Sequence, residues 1–258
     1  MTRAVIAGIL VSLCSSLLGV SLVLKRYSMI GDGLSHVSFG ALAIAAALNM
    51  APLAVSIPLV IIAAFFLLRI TESGSMRGDA AIAVFSSSSL AIGIIVTGLT
   101  TGITTDVCNY MFGSVLAMSR TDVYVSVILS FAVLALFVVF YNRIFAVTFD
   151  EPFSRATGVR VDLYNSALAV LTAVTIVLGM RIMGALLISS LIIFPALSAM
   201  RVCRYFKGVI ICAAIISAVC FFIGICASFY LEIAVGASVV IANLIVFVTF
   251  SAVARLRR

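Results

Sequence analysis

Nine stretches of roughly twenty residues, each almost free of charge, follow one another along the chain. They cover about residues 4–24, 33–50, 53–69, 79–100, 121–141, 162–180, 184–200, 208–229 and 234–254. A helix of about 20 apolar residues crosses a bilayer core about 30 Å thick. The pattern therefore predicts an all-α polytopic membrane protein with eight to nine transmembrane helices, the short second stretch deciding between the two numbers. Composition agrees, since 64% of the residues are apolar and only 10% charged, against about 25% charged in soluble domains. No separate soluble domain or low-complexity tract interrupts the series, so residues 1–258 read as a single transmembrane domain. The stretch 101–120 (TGITTDVCNYMFGSVLAMSR) is too apolar for a solvated loop and too interrupted for a crossing. It reads as a re-entrant or interfacial element, because irregular backbone at depth needs shelter by protein.

The 16 basic residues test this division. With nine spans, one set of loops and ends holds Lys25, Arg26, Arg69, Arg77, Arg143, Arg155, Arg160, Arg201, Arg204, Lys207, Arg255, Arg257 and Arg258. The other holds only Arg3, Arg120 and Arg181. Cytoplasmic loops carry the excess of Lys and Arg, so the expectation is an N-terminus outside and a C-terminus in the cytoplasm of a cell-membrane protein. The basic excess thus speaks of orientation in a lipid bilayer, and no nucleic-acid partner is expected. Because Lys25 and Arg26 follow the first apolar run rather than precede it, that run reads as a span and not as a cleaved leader. Six cysteines without a C-x-x-C pair, beside a single histidine, fit neither a disulfide scaffold nor a zinc finger.

The chain has no G-x-x-x-x-G-K-[ST], G-x-S-x-G or H-E-x-x-H, so it neither binds ATP by a P-loop nor carries those hydrolytic centres. Its most informative polar cluster is KRYSMIGDGLSH, Lys25 to His36. Asp32 and His36 stand four apart and share a helix face. A carboxylate and an imidazole make half a site for a divalent transition metal, and weak binding suits a pathway that must release its ion. The plainer alternatives are that Asp32 caps the helix start and that His36 is buried against a serine. Of the other polar groups in or beside spans, Ser189, Ser190 and Glu232 are weaker pathway candidates. Ser86 to Ser89, Asn165 and Asn243 read as helix-packing groups. Pro195, inside the seventh span, removes a backbone donor and is either a static bend or a hinge. Gly98 and Gly102 form one G-x-x-x-G of low specificity.

In the connection 142–161, FDEPFSRATG (Phe149 to Gly158) reads as a short helix. Asp150 is its N-cap, Pro152 lies in the first turn, and Gly158 is the stop. Phe153, Ala156 and Thr157 share one face, which suits either a partner's groove or the lipid surface.

Together these pieces resemble the permease subunit of the zinc, manganese and iron ABC importers, the ABC-3 family. The resemblance is carried by LKRYSMIGDGLSH, DVCNYMFGSVLAMSRTDVY, FDEPFSRATGV, MRIMGALLISSLIIFPALSAMR and SFYLEIAVGASVV, in that order. Glu232 stands where the family commonly has Asp, Ala234 where it commonly has Pro, and Gly33 where Ala is usual. The resemblance implies a homodimer, cytoplasmic ATP-binding subunits and an extracytoplasmic metal-binding protein. It implies that Asp32 and His36 lie on the translocation route, and that Phe149, Asp150, Glu151, Phe153, Ala156 and Gly158 form the element the ATPase grips. The expected function is ATP-driven import of a divalent transition metal, zinc or manganese foremost, through a subunit that is not itself an enzyme. The ion is cargo, with no tightly bound cofactor. A siderophore- or corrinoid-type ABC permease and a gradient-driven metal carrier are the alternatives.

Overall fold

The computed structural model describes residues 2–72, 78–100 and 120–256. Among them the regular structure is helical throughout, in eleven helices: α1 (Thr2–Leu24), α2 (Ile30–Ala47), α3 (Pro52–Glu72), α4 (Gly78–Leu99), α5 (Arg120–Val139), α6 (Tyr141–Phe149), α7 (Glu151–Ala156), α8 (Val161–Met183), α9 (Ala185–Val202), α10 (Phe206–Leu231) and α11 (Val235–Leu256). Eight of these, all but α5, α6 and α7, are long and apolar enough to cross a membrane. A ninth crossing exists if the bent pair α5–α6 is one span. The expected re-entrant stretch 101–120 lies outside the described residues, apart from Arg120, which opens α5.

Most of the connection 142–161 is α6 and α7, and α7 is the short helix expected within Phe149 to Gly158. One expectation is corrected. The fifth segment does not end straight at 141 but turns by 67° into α6. No proline or glycine marks the bend. Past it, Tyr141, Phe145 and Phe149 all contact Phe206 at the start of α10, with centroids 5.7, 5.0 and 5.6 Å apart, two of the pairs tilted and the Phe149 pair edge-on. Aromatic contacts of this kind add to plain area burial and favour the bent course.

Between helices in lipid there is little hydrophobic drive, so close backbone approach and buried hydroxyls hold the bundle together. A Cβ on Gly19 of α1 would lie 2.9 Å from the carbonyl carbon and 3.0 Å from the Cα of Ile192 on α9. A Cβ on Gly40 of α2 would lie 2.8 Å from the Ser89 carbonyl oxygen of α4. Ser217 Oγ on α10 donates to the Ser12 carbonyl on α1 at 2.9 Å. α1, α2 and α8 form the inside, while α4 and α11 lie on the outside with most of their surface exposed. Gly98 does not follow this scheme. A Cβ there meets nothing within 4 Å among the described residues, and Gly102, the other half of its G-x-x-x-G, lies outside them.

Helix ends are closed by left-handed residues. Arg26 (φ 63°), Asn49 (φ 52°) and Gly158 (φ 82°) end α1, α2 and α7. In each case the next residue's N–H reaches back five residues and the left-handed residue's own N–H reaches back three, the Schellman pattern. Lys25 at the end of α1, Glu151 of α7 and Phe206 at the start of α10 are thereby gathered at one end of the bundle. Among the described residues, Arg155 pairs with Glu151 at this end. Arg201, Arg204 and Arg255 border one pocket, the first two just ahead of Phe206 in the chain.

Candidate functional site

The start of α2 builds the site. Ile30 to His36 form its first two turns, and the N-cap is Met29, with no side-chain cap bond. The capping alternative for Asp32 is thus replaced by a different use of its carboxylate. Ser189 Oγ of α9 lies 3.2 Å from Asp32 Oδ1 and equally 3.2 Å from the Ala185 carbonyl of its own helix, so its one proton is shared between the two acceptors, and Asp32 Oδ2 lies 3.8 Å from His36 Nε2. The serine next to the pair therefore bonds the carboxylate rather than the imidazole. Glycine spacing lets the neighbours come close, since a Cβ on Gly31 would lie 2.9 Å from Ile192 Cδ1 on α9 and one on Gly33 would lie 2.6 Å from Ile82 Cγ2 on α4.

Depth follows from these neighbours. Ile82 is one turn inside the start of α4. Ser189 lies twelve residues back from Arg201, about 18 Å at 1.5 Å per residue. Asp32 and His36 therefore sit one to three turns inside the spanning region. Yet their side chains are 44% and 24% exposed on the single chain. Among the described residues no group of three or more His, Cys, Asp or Glu side chains could hold a metal. One chain thus offers two ligands and one hydroxyl, enough for transient contact with a cation but not for a closed site.

Of the weaker candidates, Ser189 joins the pair and the others do not. Ser190 is buried and donates to the Leu187 carbonyl at 2.8 Å. Pro195 is buried within α9, which continues through it. Glu232 is exposed and left-handed (φ 53°) at the far end of α10. That is 26 residues, about 39 Å, from the Phe206 end of the same helix.

The second assembly is α7. Asp150 accepts from the Phe153 N–H at 2.9 Å, Pro152 lies in the first turn, and Gly158 ends the helix with φ 82°, as the residue types predict. Phe153 is 65% exposed, and Ala156, Thr157 and Gly158 are exposed around it. Phe149 packs into the Phe145–Phe206 cluster. Glu151 pairs with Lys25 at 3.4 Å and with Arg155 at 3.5 Å, and Arg155 also reaches Asp162 of α8 at 2.9 Å. Sequence reasoning did not find the Lys25 contact or the aromatic cluster. Lys25 marks a loop in the charge count, and nothing local tells a buried lysine from a solvated one.

A model of the ABC 3 transport family matches residues 1–254. The chain is 30% identical over 245 residues to the high-affinity zinc uptake system membrane protein ZnuB of Haemophilus influenzae, covering 95% of this chain and 94% of that one. It is 25% identical to the manganese import system permease protein ScaB of Streptococcus gordonii, covering 95% and 88%. It superposes on the solved structure of PsaBC from Streptococcus pneumoniae in complex with Fab with a TM-score of 0.88. There the identity is 27%, covering all of this chain and 95% of the other.

Proposed function

This chain belongs to the ABC 3 transport family and is a permease subunit of an ATP-driven importer of divalent transition metal ions; we propose that zinc or manganese crosses it past Asp32 and His36, between two copies of the chain. It is a transport component and a multi-pass membrane protein. ATP hydrolysis belongs to partner ATPase subunits, and a substrate-binding partner supplies the ion.

The observation that carries the proposed route is a half-exposed carboxylate inside the spanning region, with an imidazole beside it. An aspartate facing lipid at mid-span costs about 2.5–3.5 kcal/mol on the insertion scale. That face is therefore covered by protein or by water, and a second copy about a two-fold axis supplies both. A two-fold interface sets the same patch against itself, bringing two Asp32 and two His36 together. The resulting four ligands of mixed oxygen and nitrogen suit zinc or manganese.

Ser189 shares its proton between one oxygen of each carboxylate and the Ala185 carbonyl, and the other carboxylate oxygen faces His36. The basic end faces the cytoplasm, as the positive-inside rule requires, so the N-terminus is outside and the C-terminus inside. α7 projects Phe153 toward the ATPase there. Nucleotide-driven closure of the two ATPases moves α7, and the spans tied to it rock to open the pathway inward. Elemental analysis of cells with and without this gene, grown at limiting metal, tests the reading. Zinc or manganese content should fall several-fold in its absence, and unchanged content of both would refute it.

A further inference from the structure

We propose that Lys25 is a positioning residue, a clasp that carries the movement of α7 to the ion site. The inference rests on the transport reading above and adds a residue to it.

A lysine at a membrane boundary ordinarily extends its ammonium group to water or headgroups. Lys25 does the reverse, since its side chain is only 7% exposed. Its Nζ meets Glu151 Oε2 of α7 at 3.4 Å and bonds Asn165 Oδ1 of α8. One buried cation thus joins three elements: the end of α1, the coupling helix, and the first turns of α8. A buried charge is tolerated where it is paired and hydrogen-bonded. Leaving Glu151 costs Lys25 its ion pair with α7, so displacement of α7 is resisted unless Lys25 follows.

The backbone around Lys25 passes the movement on. Lys25 N–H bonds the Ser21 carbonyl at 3.0 Å, Arg26 N–H bonds Val23 at 3.1 Å, and Tyr27 N–H bonds Leu22 at 2.8 Å. The turn continues when Ile30 N–H bonds the Tyr27 carbonyl at 3.0 Å, and Gly33 N–H bonds Met29 at 3.1 Å. The five residues between α1 and α2 are therefore a bonded turn rather than a slack loop, with Arg26 in the left-handed region at its apex. Asp32 is the third residue of the helix that this turn starts. Beside the clasp lies a cavity of about 20 Å³, lined among others by Lys25, Tyr27, Leu34 and Asn165, room for about one water. Arg155 remains beside Glu151 when Lys25 is replaced, so the glutamate is not orphaned by the test.

The test uses the full permease with its ATPase in vesicles, reading metal uptake and ATP hydrolysis in parallel. Lys25→Gln should lower ions moved per ATP by about ten-fold, within the usual span of coupling between sites, while hydrolysis persists. Lys25→Arg should retain most coupling, and the swap Lys25→Glu with Glu151→Lys should regain part of it. Uptake and hydrolysis falling in the same proportion, or neither changing, overturns the clasp. A readout independent of transport is hydrogen exchange of the amides at 27–33. On adding ATP their protection should change in the wild type and not in Lys25→Gln. An equal change in both overturns the clasp even where uptake falls. A wild type that moves no metal, but whose exchange response is lost in Lys25→Gln, would sink the transport reading and leave the clasp standing.

Discussion

Replacing Gly19 by alanine tests whether close packing in the bundle positions the ion site. The new Cβ would press first on the Ile192 carbonyl oxygen, its nearest neighbour, and would stand 2.9 Å from the carbonyl carbon and 3.0 Å from its Cα. Carbon atoms rest at about 3.5–4.0 Å, so α1 and α9 must part by at least about 0.6 Å. These neighbours are backbone atoms and no rotamer relieves them. Overpacking of this kind costs about 1–3 kcal/mol, a fall in Tm of about 2–12 °C for a chain of this size. Ile192 lies three residues from Ser189, whose Oγ is 3.2 Å from Asp32. A shift of about 0.6 Å takes that contact to about 3.8 Å, past the range of an O–H···O bond. The expected result is a lower melting temperature in detergent and several-fold slower uptake per molecule inserted. Gly98→Ala is the control, since its Cβ meets nothing among the described residues and should change neither. Gly19→Ala with wild-type melting and uptake would refute the reasoning.

Three further outcomes follow from the site and the coupling helix. Ser189→Ala removes a donor to Asp32, a bond worth about 0.5–1.5 kcal/mol; apparent metal affinity, read from uptake against concentration, should change by about two- to twelve-fold with Tm nearly constant. Phe153→Ala deletes an exposed ring and should lower copurification with the ATPase or metal-stimulated hydrolysis, with metal binding unchanged. Gly158→Ala places a Cβ at φ 82°, a cost of about 1–2 kcal/mol that should reduce thermal stability and ATPase assembly while leaving the ion ligands in place.

How much of this was legible in the sequence depends on the range of the interaction. The spans, the α7 caps and the i,i+4 spacing of Asp32 and His36 are local, and apolar runs, Asp150, Pro152 and Gly158 announce them. The Ser189–Asp32 bond joins residues 157 apart, and the Lys25–Glu151 pair joins residues 126 apart. Nothing in either segment marks its partner. The 67° bend after Val139 carries no proline or glycine. It is favoured by Phe206, more than sixty residues further on, collecting three aromatic rings. Glu232 is placed by its apolar neighbours at the end of a span, but the fold leaves it exposed in a left-handed turn away from the ion ligands.

The most direct measurement reconstitutes the permease with its ATPase in vesicles and follows radioactive zinc or manganese with and without ATP. The wild type should accumulate one of these ions only when ATP is supplied. Asp32→Ala and His36→Ala should abolish accumulation while inserting and binding the ATPase normally. Undiminished ATP-driven accumulation in both variants would contradict the account, and so would a wild type that concentrates neither ion.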